Sequence, residues 1–355
     1  MTEFLENFPL ANLTTFKLGG NARYFTECRN TDGMLDAIRF AESKNIRYHI
    51  LGGGSNTIFS DDGFDGLVLK IASRGIQFVR EPDGVMIVAA AGEQWDDVVK
   101  FCIRSGLGGV ECLSGIPGLV GATPIQNVGA YGQEVAETIL EVKAIDLLTL
   151  RTVRFRNSEC RFGYRRSRFN QEDTGKFIIT EVAFKLNTVV QPEIRYPELR
   201  SFIASSIEME KLASEAEKLE AVRNGVLALR RKKSMVIDES DPNSQSAGSF
   251  FKNPVLTQDK FDHLLDLCRK NGIEDSPPTF PSGEGVKVPA AWLLEKAGFH
   301  KGFRKGGVGV SANHALALVN YGGTTRELLL LAEEIQSAIV QQFGILLERE
   351  PVLVQ

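Results

Sequence analysis

The sequence predicts an α+β protein of two or three domains. Three observations carry this: the length, the mix of strand and helix patterns in the first half, and a change of composition after residue 190. At 355 residues the chain exceeds what one ordinary hydrophobic core organises. A hydrophobic content of 43% with 24% charged residues fits a soluble globular protein.

Each element follows from its own pattern. Residues 33–44, GMLDAIRFAESK, space their apolar side chains along one helix face. IRYHILGGGSN runs an apolar strand into a glycine turn, and GLVLK at 66–70 is a second short strand. From 71 to about 190 the candidates are the strands GIQFV, VMIVAA, ILEVKAIDL and KFIITEVAFKL and a helix near WDDVVKFCIRSG. Among them lies GIPGLVGATPIQNVGAYG, residues 115–132, whose glycines and prolines predict a run without regular structure. The Glu-, Lys-, Ala- and Leu-rich segment SSIEMEKLASEAEKLEAVRNGVLALRRKK reads as one long helix or two joined near Asn224 and Gly225, with a domain boundary near 215. SMVIDESDPNSQSAG favours a loop. TQDKFDHLLDLCRK, PAAWLLEKAG and TRELLLLAEEIQSAIVQQFG predict helices, and ALALVN at 315–320 a strand, so the last region is a small α+β domain.

Composition narrows the function. A formal net charge of -4 gives no sign of affinity for nucleic acid or anionic membranes. No apolar run reaches the length of a membrane span, and MTEFLENFPL lacks an export signal, so a cytoplasmic protein is expected. The five cysteines are odd in number and widely spaced, which argues against a disulfide framework. The four histidines fall in no metal-binding spacing, so no metal site is expected. Redox chemistry would need an organic cofactor.

Two glycine-rich segments are the first functional candidates. Gly52, Gly53, Gly54, Ser55 and Asn56 offer close backbone approach and N–H groups for phosphate oxygens. No Lys-Ser/Thr follows and no helix opens there, so the segment is neither a Walker loop nor the usual dinucleotide fingerprint; a plain tight turn is the alternative. In the run from Gly115 to Gly132, Thr123, Gln126 and Asn127 add donors and acceptors, and a structural Ω-loop is the alternative. Two such loops suit a long ligand with a central pyrophosphate.

The segments GGGSN and GIPGLVGATPIQNVGAYG, followed by YRRSRF at 164–169, AGSFFKNP at 247–254 and LEREP at 347–351, closely resemble the UDP-N-acetylenolpyruvoylglucosamine reductase family. The motifs occur in family order across nearly the whole chain, and IRYPEL points to the longer, tyrosine-loop subclass. The resemblance implies an FAD-binding region of the vanillyl-alcohol-oxidase (PCMH) type, about 15–187, in two α+β subdomains. A separate α+β substrate-binding domain follows. The expected ranges are 1–70 and 71–215 for the subdomains and 216–344 for the substrate domain, with the tail 345–355 packing back near the first. It also implies that NADPH reduces bound FAD, that the substrate is UDP-N-acetylglucosamine-enolpyruvate and the product UDP-N-acetylmuramate, and that the setting is peptidoglycan precursor synthesis. A monomer is expected, since no long heptad interface is visible. An oxidase of the same superfamily and a non-catalytic nucleotide-sugar sensor are the competing readings.

Site residues follow from the same resemblance, each beside a plainer reading. Arg165 matches the catalytic arginine that steadies an enol-like intermediate, whereas Arg166 and Arg168 read as a solvated face. Ser249 matches the proton donor; alone, it reads as a cap or turn residue. Glu350 matches the catalytic glutamate, with Glu348 as competitor and a solvent-facing glutamate as the plainer alternative. Cofactor contacts are carried onto Gly52, Gly53, Gly54, Ser55, Asn56, Pro117, Gly121, Ala122, Thr123, Asn127, Gly129 and Ile179. Substrate contacts are carried onto Tyr164, Tyr196, Lys233 (or its neighbour Lys232), Asn253 and His314; the last otherwise reads as a loop or strand-edge residue.

Overall fold

A computed structural model describes residues 2–81, 84–188, 192–206, 209–283 and 285–355. They form two compact units. The first comprises Met1–Phe8, Ala22–Gly53 and Asp65–Val236, the second Pro9–Asn21, Gly54–Phe64 and Ile237–Gln355.

In the first unit, a four-stranded sheet orders Leu5–Pro9, Asn21–Cys28, Phe64–Ile71 and Arg47–Leu51. The last two run parallel, and helix α1, Thr31–Lys44, connects Asn21–Cys28 to Arg47–Leu51. The Asn30 side chain caps α1 by accepting the Gly33 N–H at 2.8 Å. A five-stranded antiparallel sheet orders Thr152–Arg156, Ile139–Asp146, Phe177–Leu186, Gly84–Ala90 and Ile76–Glu81. Along Gly84–Ala90, Val85, Ile87 and Ala89 are buried while their neighbours are half-exposed, the period of two that one covered face imposes. Helix α2, Trp95–Arg104, buries Trp95, Val98, Val99, Cys102 and Ile103, one stripe at helical spacing. The Trp95 indole N–H donates to Leu113 O at 3.1 Å and fixes the chain just before the glycine-rich run.

One open alternative is resolved here and two expectations are corrected. The charged segment after 190 gives helix α3, Pro197–Ser206, a short 3-10 turn at Met209–Lys211, and helix α4, Glu215–Lys232. The break near Asn224 and Gly225 does not occur. A Cβ at Gly225 would lie 3.1 Å from Leu199 Cδ1 and 3.2 Å from Ile203 Cγ1, so this glycine lets α3 and α4 pack closely and ends nothing. Helix α4 belongs to the first unit, where it packs on α2 and α3, and the second unit's final segment starts at Ile237 instead of 216. The run 115–132 is not wholly irregular either. It holds a 3-10 turn at Val120–Ala122 and ends in a hairpin pairing Gly129–Ala130 with Gln133–Glu134. The hairpin turns on Tyr131 and Gly132, both at positive φ (50° and 83°), as a two-residue type I′ turn requires.

The second unit carries helices α5, Gln258–Lys270, α6, Ala290–Lys296, and α7, Thr325–Phe343, near the predicted positions. The predicted strand 315–320 is shorter, Leu318–Asn320, and pairs antiparallel with Val308–Val310. The tail strand Val352–Val354 runs parallel to Thr57–Phe59. Phe16, Ile58, Phe250, Phe251, Leu293, Ile335 and Phe343 lie in one buried core. No helix of the described residues is long and apolar enough to cross a membrane.

Candidate active site

The first unit brings the two glycine-rich segments together. A Cβ on Gly53 would fall 2.8 Å from Gly118 Cα, and one on Gly52 would reach only to 3.9 Å from Ala122 Cβ. Main chain therefore meets main chain at Gly53, which a side chain would prevent. Gly121 is held against Ala91: its N–H donates to Ala91 O at 2.9 Å, and Ala91 N donates to Thr180 O at 2.8 Å. Ile179, next to Thr180, is buried in the sheet opposite Ala144 and is part of the core. Pro117 is half-buried within the run.

Thr123 and Asn127 are the buried polar residues of this run among the described residues. Thr123 Oγ1 donates to Val120 O at 2.8 Å. Asn127, 1% exposed, donates to Glu134 Oε2 at 2.7 Å and to Gly163 O at 3.0 Å, and its Oδ1 accepts the Ala136 N–H at 3.1 Å. Thr123 spends its hydroxyl within the run and Asn127 its amide on neighbouring segments, so the part of each that suits a ligand is backbone. Asn127 also ties the loop to the turn bearing Arg165. Gly163 and Arg166 exchange two main-chain hydrogen bonds of 3.0 and 3.2 Å, leaving Tyr164 and Arg165 at the turn's centre. Arg165 sits in the left-handed region at φ 54°, a conformation that costs a non-glycine residue energy and that the surrounding contacts hold. Its Nη2 donates to Gly129 O at 2.7 Å and its guanidinium lies 5.4 Å from the Tyr164 ring centroid. Ser167 Oγ donates to Ile125 O at 2.6 Å and closes the module.

Asp96, in the first turn of α2, accepts Gly115 N–H at 2.5 Å and both terminal nitrogens of Arg223 at 2.6 and 2.7 Å. Burial opposes its charge, but Arg223 and the Gly115 N–H hold its carboxyl below the ordinary range. Arg230, 4% exposed, donates to Met235 O at 2.7 Å, while its Nε has no hydrogen-bond partner among the described residues. That Nε lies 3.4 Å from where a Gly115 Cβ would stand, so a buried cation borders the run. Tyr196, 38% exposed, meets the Tyr131 ring edge-on at 5.3 Å. Burial pushes the Tyr131 hydroxyl up to about 12. Lys233 ends α4 and pairs with Glu198 at 2.7 Å, whereas Lys232 lies over the Phe202 ring at 5.4 Å.

The second unit assembles residues from four distant parts of the chain. Leu316 N donates to His314 Nδ1 at 3.0 Å, and Leu316 O accepts the Phe250 N–H at 2.8 Å. Phe250 O accepts the Glu350 N–H at 2.8 Å, and Glu350 O accepts from Asn56 Nδ2 at 3.1 Å. The fully buried Phe250 and Phe251 anchor this ladder and fix the backbone of Ser249 beside them. Ser249 is half-buried, and its hydroxyl has no hydrogen-bond partner among the described residues. Glu350 is half-buried; Glu348, the competing glutamate, is exposed and paired with Lys252. Asn253 Oδ1 accepts the Ala290 N–H at 2.9 Å and so holds the start of α6.

Sequence reasoning missed Asp96, Arg223 and Arg230. A charged residue within an apolar helix face was the available signal for the two arginines. For Asp96 there was none, because acidic residues in a first turn are common caps.

Residues 241–354 match the family model described as UDP-N-acetylenolpyruvoylglucosamine reductase, C-terminal domain, and residues 22–149 match an FAD binding domain. The chain is 44% identical to a UDP-N-acetylenolpyruvoylglucosamine reductase of Thermobifida fusca, across 99% of this chain and 98% of that one. It is 40% identical to that of Mycobacterium tuberculosis, across 98% and 95%. A solved UDP-N-acetylenolpyruvylglucosamine reductase from Thermus caldophilus shares the fold, with a TM-score of 0.65 at 22% identity over 100% of this chain and 99% of that one.

Proposed function

The chain belongs to the UDP-N-acetylenolpyruvoylglucosamine reductase family, and from that premise we propose that it binds FAD, draws hydride from NADPH and reduces the enolpyruvyl group of UDP-N-acetylglucosamine-enolpyruvate to UDP-N-acetylmuramate, for peptidoglycan precursor synthesis. The observation that carries this reading is the ladder that fixes the backbone next to Ser249 beside the strand of Glu350 and leaves the serine hydroxyl without a partner among the described residues. A cytoplasmic monomer and a cofactor region of the vanillyl-alcohol-oxidase type belong to the same proposal.

The residues present fit FAD. Gly53 and Gly118 bring the two loops into main-chain contact, a cradle that a Cβ on Gly53 would force apart, and the orphaned Nε of Arg230 puts buried positive charge beside the run. Gly52, Gly53, Gly54, Ser55 and the backbone from Pro117 to Gly129, with Ile179 as apolar wall, would hold the cofactor. When bound, FAD supplies hydride transfer from NADPH to C3 of the enolpyruvyl double bond.

The protein's own groups do the rest. Negative charge develops at C2 and spreads into the adjacent carboxylate. Arg165 stabilises that charge, and its strained, hydrogen-bonded turn preorganises the guanidinium. The Ser249 hydroxyl donates the proton to C2, and Glu350 supports proton delivery. Lys233 binds the diphosphate by exchanging its Glu198 partner, and Tyr196, on the exposed side of Tyr131, covers it. Asn253 and His314 contribute through the backbone they hold.

The test is stopped-flow absorbance of the two half-reactions. Ser249→Ala should leave flavin reduction by NADPH nearly intact and suppress reoxidation by the enolpyruvyl nucleotide. Equal loss of both, or rapid reoxidation by oxygen alone, would overturn the assignment.

A further inference from the structure

Asn56 closes the GGGSN segment, yet its side chain is committed to the strand of Glu350. Its Nδ2 donates to Glu350 O at 3.1 Å across 294 residues of sequence, and its own carbonyl accepts the Val352 N–H at 2.9 Å. The Glu350 peptide is thereby gripped from both sides. Phe250 O takes its N–H, and Asn56 holds its carbonyl.

The sequence explains why a side chain is needed there. The parallel pairing with Thr57–Phe59 begins at Val352, just beyond Pro351. In a regular parallel ladder the Glu350 carbonyl would accept the main-chain N–H of residue 56. The Asn56 amide occupies that place instead. Asparagine is the short side chain that carries a neutral N–H donor; aspartate, of equal size, would turn an acceptor toward an acceptor.

We propose that Asn56 is a positioning residue for Glu350: its carboxamide sets the register of the Glu350 strand against Phe250 and Ser249, and is not chiefly a cofactor contact. The proposal rests on the reading that Glu350 supports proton delivery. A loosened strand misplaces the carboxylate, and displacement of about 1 Å from a productive geometry costs about a hundredfold in rate.

Asn56→Ala and Asn56→Asp, with Glu350→Gln alongside, test it in the holoenzyme. FAD affinity is read by fluorescence titration, each half-reaction by stopped flow, and the oxidative step across pH. The expected result is little change in FAD affinity and in reduction by NADPH. Reoxidation by the enolpyruvyl nucleotide slows about tenfold to a hundredfold, more for Asp than for Ala, and its pH profile shifts. A loss of FAD affinity with normal reoxidation at saturating FAD would make the side chain a cofactor contact and overturn the proposal. Parallel loss of both half-reactions with a lowered melting temperature would reduce Asn56 to a fold-stabilising residue and overturn it equally. If Glu350→Gln leaves reoxidation unchanged, the role given to Glu350 fails, whatever Asn56 does.

Discussion

Gly53→Ala should weaken FAD binding by about one to two decades and leave the protein folded. The added Cβ would stand 2.8 Å from Gly118 Cα, 3.2 Å from Gly118 C and 3.4 Å from Leu119 N. Carbon atoms rest comfortably at about 3.5 Å or more, so the overlap is about 0.7 Å. All three neighbours are main chain and cannot rotate away. Gly53 does not occupy the left-handed region, so the perturbation is the methyl group and not backbone strain. Overpacking of this kind costs about 1–3 kcal/mol. If the loops part to relieve it, that energy appears in the cofactor affinity, at about 1.4 kcal/mol per decade. Fluorescence titration of the apoprotein with FAD measures the effect, and a melting curve separates it from unfolding. Gly52→Ala is the control: the nearest atom is Ala122 Cβ at 3.9 Å, an ordinary contact, so affinity should stay near that of the parent. Unchanged affinity in both variants would refute the cradle, as would a lowered melting temperature with normal affinity.

Arg165→Lys should keep FAD affinity and reduction by NADPH while slowing the oxidative half-reaction about 100-fold or more, measured by stopped flow, because a point charge cannot replace the planar fork held at Gly129. Asp96→Asn should destabilise the first unit at neutral pH and flatten the acid limb of its stability curve. The Asp96 carboxyl is held below its ordinary range, so its contribution is present above the unfolded pKa of about 3.9 and is lost as pH falls through the folded value. Urea midpoints across pH 3–7 read both effects. Gly225→Val should destabilise by about 1–3 kcal/mol in urea denaturation, since Leu199 and Ile203 are buried and leave a side chain on α4 no room.

The apolar stripe of α2 and the regular spacing in α7 made those elements legible in the sequence, because an amphipathic helix writes its packing face into local order. The strands Leu5–Pro9 and Asn21–Cys28 were missed: exposed and half-buried positions interrupt their alternation. Gly225 looked like a breaker because a sequence does not show which neighbour a missing side chain admits. The αL conformation of Tyr131 was invisible for a related reason, since only its place in a two-residue turn demands it. The roles proposed for Arg165, Ser249 and Glu350 rest on their motifs. What holds these residues was not legible. The bonds from Asn56 to Glu350 and from Phe250 to Leu316 join distant segments and leave no periodic trace.

The parallel pairing of Thr57–Phe59 with Val352–Val354 also sets a timetable for synthesis. A ribosome adding about 5–20 residues per second needs about 15–60 s to make the later strand after the earlier one has emerged. During that interval the earlier strand lacks its partner, and the second unit cannot close around Ile58, which is buried in its core. Sheet pairings of such wide separation also form slowly once the chain is complete. The nascent chain therefore stays exposed to misassembly of its second unit until Val352–Val354 have been made.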